Sequence, residues 1–245
     1  MRWKEFWQRY IQVRACAGCG ELLSYEHATE AFCPACHQIF EKAKTESCSS
    51  CFQAYCECTC MPKALQREGV LSLRKLVRYS SKRQKEPQNR ILYALKHKPN
   101  RRYSLFLAGE LYPLIREELK ALGVEEDTDE VCLSYIPRGR RSYMKYGTDQ
   151  SEAICRELSE LSQIPSVSVF HRKWGGKEQK KLGVAARRKN LRGLFSVEHE
   201  DQIRGKIVVL IDDVVTTGAS MATCAQLLKK AGAVAILCVC IANNS

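Results

Sequence analysis

The sequence has no apolar run long enough to cross a bilayer. Its most apolar stretches, residues 206–215 and 231–242, are broken by charge, threonine, glycine or polar residues, short of the roughly 20 residues a spanning helix needs. This excludes membrane insertion. Residues 1–11 mix charge with aromatics and lack the apolar stretch and small-residue cleavage site of a secretory signal; the expected compartment is therefore the cytoplasm. Two familiar nucleotide-binding devices are missing as well. No Gly-Lys-Ser/Thr occurs, which excludes a Walker loop, and no Gly-x-Gly-x-x-Gly, which excludes a dinucleotide loop. Acidic residues are scarce in one segment: residues 63–103 hold only Glu68 and Glu86 against 13 basic residues.

The chain has 245 residues, 45% hydrophobic and 27% charged, with a net charge of +12. That composition suits a folded protein of one large or two smaller domains. The positive excess is localised, because residues 1–62 carry 6 basic and 7 acidic side chains while residues 137–205 carry 15 and 8. Two basic segments favour polyanions such as nucleic acid or a phosphorylated metabolite.

Nine of the 14 cysteines lie between Cys16 and Cys60. Without an export signal, paired thiolates point to a metal rather than to disulfides. Cys16-Ala-Gly-Cys19 and Cys33-Pro-Ala-Cys36 are two C-x2-C knuckles with the spacing of a four-cysteine zinc ribbon. Four thiolates close the tetrahedron around Zn2+, so this role is structural. Cys48, Cys51, Cys56 and Cys60 form the expected second set, since Cys56 and Cys60 have a usable spacing and the Cys-x-Cys alternates fit one tetrahedron less easily. One or two zinc ions are expected. Cys132, Cys155, Cys224, Cys238 and Cys240 read as small core residues.

Met61-Pro62 ends the cysteine module, giving a boundary between residues 1–62 and 63–245. Beyond it, residues 71–79 suggest a short strand or amphipathic piece. Apolar residues at helical spacing predict helices over 88–97, 103–122, 151–161 and 221–231. Strands are expected over 131–136, 167–170, 206–211 and 234–241. Residues 172–192, with Gly175-Gly176 and five lysines, read as an exposed loop. Alternating helices and apolar strands imply a parallel α/β sheet covered on both faces.

The chemistry concentrates in residues 208–220, Val-Val-Leu-Ile-Asp-Asp-Val-Val-Thr-Thr-Gly-Ala-Ser. An apolar strand runs into two acids, then a small-residue loop, then a helix. Ligands of open α/β folds bind at such carboxyl strand ends. Thr216, Thr217, Gly218, Ala219 and Ser220 supply hydroxyls and backbone N–H groups where unpaired donors and the helix dipole favour a phosphate. Asp212 and Asp213 are acceptors suited to the two hydroxyls of a ribose. Together they describe a ribose 5-phosphate socket.

This stretch closely resembles the signature of type I phosphoribosyltransferases, in which the acids hold the ribose hydroxyls and the loop holds the 5-phosphate. The resemblance extends to the ComF family of competence proteins, which joins an N-terminal cysteine finger to a phosphoribosyltransferase-like domain. Leu95-Lys96, Tyr146-Gly-Thr-Asp-Gln150, Gln179, Arg187-x-x-Asn190, Gly193 and Phe195 fall in that family's order. The family usually has Arg-Gly-Phe-Asn-Gln where this chain has Tyr146-Gly-Thr-Asp-Gln150. The resemblance implies a type I phosphoribosyltransferase-like sheet and a role in DNA uptake beside an ATP-driven, helicase-like translocase.

A catalytic site of this kind would take phosphoribosyl pyrophosphate with Mg2+, a hard cation that holds sugar and pyrophosphate oxygens and offsets leaving-group charge. The expected pyrophosphate turn is Pro137 to Arg141, offering Arg138, Arg140 and Arg141. The basic loop with Lys177 and Arg187 is the expected lid. Two non-catalytic readings stand beside this one: a competence component gripping single-stranded DNA, and a sensor that binds phosphoribosyl pyrophosphate without reacting. No segment identifies itself as the element that would select a nucleobase.

Overall fold

The protein is described by a computed structural model covering residues 14–24, 27, 29–80, 82–97, 100–125, 129–173 and 193–243. After the first cysteine knuckle come helix α1 (Pro34–Lys44) and, past the second cysteine set, the short α2 (Lys63–Arg67). Then follow β1 (Ser72–Arg78), α3 (Pro87–His97), α4 (Arg101–Ala121), β2 (Val131–Tyr135), α5 (Arg140–Tyr146) and α6 (Gln150–Ser162). The chain closes with β3 (Phe170–Arg172), β4 (Phe195–Val197), β5 (Ile207–Val215), α7 (Ala219–Lys230) and β6 (Ala235–Asn243).

Four strands form one sheet in the order β1-β6-β5-β2, and every pairing in it is parallel. Val208 to Ile211 of β5 and Ile236 to Asn243 of β6 are buried, as continuous apolar strands must be when helices cover both faces. One face carries Leu107, Leu111 and Ile115 of α4 together with Ile91 of α3 and Leu158 of α6. The other carries Cys224, Ala225 and Leu228 of α7 with Leu65 of α2.

The cysteine-rich segment shares this interior. Phe32 and Phe40 pack on Phe106 of α4 with centroids 5.2 Å away in both cases. The edge strand β1 carries two charges that the same segment covers. Lys75 is 1% exposed, and its Nζ donates to the Cys60 carbonyl at 2.6 Å. Arg74 donates to Glu117 and Glu118 of α4 and to the Cys56 carbonyl.

Three local expectations change. The strand expected to end at residue 211 continues to Val215, because β6 offers backbone partners along that length, pairing Asp212 with Cys240 and Val214 with Ala242. The strand expected over 167–170 is divided: Ser166 bridges Leu133 of β2 in parallel, and Phe170 then begins an antiparallel pair with β4. The turn expected through Arg141 instead enters α5 at Arg140, with Gly139 as its N-cap. The expected lid residues Lys177 and Arg187 lie outside the described residues.

Candidate functional site

Parallel pairing brings the carboxyl ends of β1, β6 and β5 to one edge, where Arg78, Asn243 and Val215 stand in one row. Asp212 and Asp213 lie just before that edge on β5, and residues 216–220 just after it. Thr216 and Thr217 are exposed, Gly218 is buried, and α7 begins at Ala219. The N–H groups of Thr217, Gly218, Ala219 and Ser220 take no acceptor among the described residues. Unpaired amides at a helix start form a concave donor set for an anion. Gly218 turns the chain into α7 with φ 70°, a left-handed conformation that disfavours other residues. An added Cβ there would stand 3.1 Å from Pro62 and 3.4 Å from Leu65, so the end of the cysteine module rests against the loop.

Each carboxylate at this edge uses one oxygen locally. Asp212 Oδ1 accepts from the Asp213 N–H at 2.9 Å and from Ser151 Oγ at 3.4 Å; Asp213 Oδ1 accepts from the Val214 N–H at 2.7 Å. The two carboxyl groups also hydrogen-bond to each other, which raises Asp212 and lowers Asp213. Asp149 joins them. It caps α6 by accepting from the Ser151 and Glu152 N–H groups, and its other oxygen accepts from the Arg138 N–H at 2.5 Å. Burial pushes all three acids up, and repulsion from neighbouring acids adds to the shift at Asp212 and Asp149: Asp212 lies well above the ordinary carboxylate range, with Asp213 and Asp149 also raised. Arg138 and Lys96 oppose the rise at Asp213. Arg138 lies over the Tyr146 ring at 4.7 Å and Lys96 at 5.5 Å. Arg172 donates to the Pro137 carbonyl at 3.0 Å, and burial lowers its basicity although Asp212 and Asp149 resist that.

Arg138, expected at the pyrophosphate turn, lies close enough to Asp213 to lower it, whereas Arg140 and Arg141 are placed only as the start of α5. Asp149, Ser151, Lys96 and Arg172 were not among the expected site residues. Asp149-x-x-Glu152 carries a helix-start signature that marks the cap. Lys96 is marked only through the Leu95-Lys96 resemblance, and nothing local in the sequence marks Ser151 or Arg172 as members of this edge.

The cysteines form two four-sulfur groups. The sulfurs of Cys16, Cys19, Cys33 and Cys36 lie within 4.8 Å of one another, as do those of Cys48, Cys51, Cys58 and Cys60. The second set corrects the expected one, with Cys58 in place of Cys56. The Cys56 N–H donates to the Lys44 carbonyl, while Cys58 turns inward and its sulfur lies 3.4 Å from that of Cys51. Zn–S bonds of about 2.3 Å give a tetrahedron with edges near 3.8 Å, and the Cys19 and Cys33 sulfurs are 3.8 Å apart. Backbone N–H groups aim at one sulfur in each set, Gly18 and Cys33 at Cys16 and Ser50 at Cys48. Burial raises both thiols, but these donors, together with further backbone N–H groups and neighbouring thiols, outweigh it and bring Cys16 to about 7 and Cys48 to about 6. Neighbouring sulfurs, with burial, push Cys60 up to about 12. Donor type, spacing and N–H support fit a structural Zn2+ in each group.

Comparison with known proteins adds an independent line. Residues 154–245 match the phosphoribosyl transferase domain model. The DNA utilization protein YhgH of Escherichia coli K12 is 32% identical over 111 residues, 44% of this chain and 48% of that protein. Competence protein F of Haemophilus influenzae is 29% identical over 130 residues, 51% of this chain and 55% of that protein. The chain therefore spans about half the length of the curated relatives it matches. Among solved structures, a hypoxanthine phosphoribosyltransferase from Trypanosoma cruzi aligns over 57% of this chain and 67% of its own, with 16% identity and a TM-score of 0.37. No helix among the described residues is long and apolar enough to cross a membrane. A phosphoribosyltransferase-type sheet behind a cysteine-rich amino-terminal segment, together with the similarity to these two relatives, supports assignment to the ComF family.

Proposed function

We propose that this edge binds phosphoribosyl pyrophosphate or a related ribose phosphate, and that the protein acts in DNA uptake during transformation. The observation that carries the reading is the juxtaposition, across residues 212–220, of two adjacent acids and a loop whose amides take no acceptor among the described residues. Asp212 and Asp213 would accept from the sugar hydroxyls, and Thr216, Thr217, Gly218, Ala219 and Ser220 would donate to the 5-phosphate. Arg138 supplies positive charge beside Asp213, suited to the pyrophosphate group. Arg140, Arg141, Lys177 and Arg187 complete the cationic set that we propose for the same group.

Mg2+ fits the all-oxygen donors of this edge and would offset charge on the pyrophosphate. Asp149 holds the Arg138 backbone in place through its hydrogen bond to the N–H. Residues 1–62 and 63–245 are the proposed functional divisions, the first holding zinc. The DNA utilization protein and competence protein among the relatives support the place in DNA use and competence. The basic segments suit single-stranded DNA, and a helicase-like translocase is the proposed protein partner; DNA held by its backbone would be lost steeply as salt rises.

Calorimetric titration with phosphoribosyl pyrophosphate, with and without Mg2+, tests the site. Wild type should bind, and the double variant Asp212→Ala/Asp213→Ala should not. Equal binding by both would overturn the sugar assignment.

A further inference from the structure

A cavity of about 800 Å³ opens between the first cysteine knuckle and α3. Its walls carry Tyr79, Tyr93, His97 and Tyr103, with Arg90 and the knuckle at Cys16. That volume falls in the range of small-molecule sites. The Tyr93 ring stacks on His97 with centroids 3.8 Å apart and an interplanar angle of 22°. Tyr93 remains 65% exposed even though His97 covers part of it. Exposed aromatic surface in a polar-rimmed cavity presents a stacking face to a further flat ring. Asn89 also lines the cavity; it is 6% exposed, and its Oδ1 has no partner among the described residues. A buried acceptor left unpaired is the exception in folded proteins.

The knuckle is fixed as one wall. Arg90 donates to the Gly18 carbonyl, and Arg102 and Tyr103 donate to that of Ala15. Gly18 itself lies so close to α3 that an added Cβ would stand 3.2 Å from Pro87.

The cavity borders the candidate sugar site. Tyr79 follows β1 at the row where Thr216 follows β5, and its N–H donates to the carbonyl of Asn243 on the strand between. Two strand spacings separate these positions, about 10 Å. His97 packs edge-on against Tyr146 at 4.8 Å, and the same ring lies beneath Arg138 and Lys96.

We propose that this cleft binds a nucleobase, with the first cysteine knuckle as its roof and Tyr93 as its stacking face. The inference deepens the ribose phosphate reading and rests on it for the role of the ring as the sugar's partner. It also assigns the zinc-binding segment a direct part in ligand selection, a task for which no separate segment was evident.

The test uses the full chain with zinc bound. Adenine, hypoxanthine, cytosine and uracil are each titrated while tyrosine fluorescence and saturation-transfer NMR are followed, and an eight-residue thymidine oligonucleotide forms a second arm. Phosphoribosyl pyrophosphate with Mg2+ is titrated separately. At least one base should bind wild type, with affinity falling about 5- to 150-fold in Tyr93→Ala and retained in Tyr93→Phe. Tyr93-dependent binding of the oligonucleotide alone would support the same ring site and assign its source to a strand. If phosphoribosyl pyrophosphate binds but neither bases nor oligonucleotide do, the cleft proposal is overturned and the sugar reading stands. Base binding indifferent to Tyr93→Ala overturns the location. If phosphoribosyl pyrophosphate fails to bind, the sugar reading falls, and the proposed role of the ring falls with it.

Discussion

Replacing Gly218 with alanine should weaken the protein in two separable ways. The first is conformational: a residue with a Cβ at φ 70° costs about 1–2 kcal/mol relative to its preferred backbone regions. The second is contact, since the new methyl group would stand 3.1 Å from both Cβ and Cγ of Pro62, and a proline ring cannot swing aside as a long side chain would. Overpacking of this kind adds about 1 kcal/mol or more. A total near 2–3 kcal/mol corresponds to a fall in Tm of about 4–12 °C for a chain of this size. Thermal unfolding of the zinc-loaded protein, followed by circular dichroism, gives the total. Repeating Gly218→Ala in a Pro62→Ala background separates the parts, because removing the ring relieves the contact and leaves the backbone cost. The expected coupling between the two substitutions is about 1 kcal/mol. Unchanged stability in Gly218→Ala would refute both arguments, and a penalty fully erased by Pro62→Ala would refute the left-handed turn.

Three further outcomes follow from the site and its surroundings. The raised acids at the sheet edge make a proton-linked contribution that is complete below their unfolded value near 4 and is lost as pH rises through the higher folded values. A ligand that needs the ionised carboxylates must therefore release protons on binding and bind more tightly as pH rises through that window; calorimetry in two buffers of different ionisation enthalpy should show the release, and its absence would contradict the raised values. Cys58→Ser should cost one zinc per chain by metal analysis and Cys56→Ser none, since only the former belongs to the converging sulfurs. Lys75→Met keeps a similar volume but removes the donor to the Cys60 carbonyl, with an expected loss of about 1.5–3 kcal/mol in urea unfolding.

Continuous apolar strands and helical periodicity make the parallel sheet and its covering helices legible from residue order alone. Asp212 and Asp213 are equally legible as a motif, because an acid pair after a buried strand and before a hydroxyl-rich turn is a local pattern. Asp149 and Arg172 are different: they reach the same edge from distant parts of the chain, and only the fold brings their charges together. The exchange of Cys56 for Cys58 has a similar origin. Local spacing favoured the former, but the buried face of β1, with Lys75 against Tyr55 and the Cys60 carbonyl, sets how residues 56–60 turn. Charged residues in β1 also obscured it as a strand, since their neutralising partners come from α4 and the cysteine-rich segment.

Cys60 and Pro62 are separated by a single residue, Met61. One is held by the sulfur cluster; the other braces the glycine that begins α7. Loosening at the first has only one residue in which to dissipate before it reaches the second, so oxidation of these thiols would be felt at the turn into α7, where the phosphate is proposed to sit, before the central strands came apart.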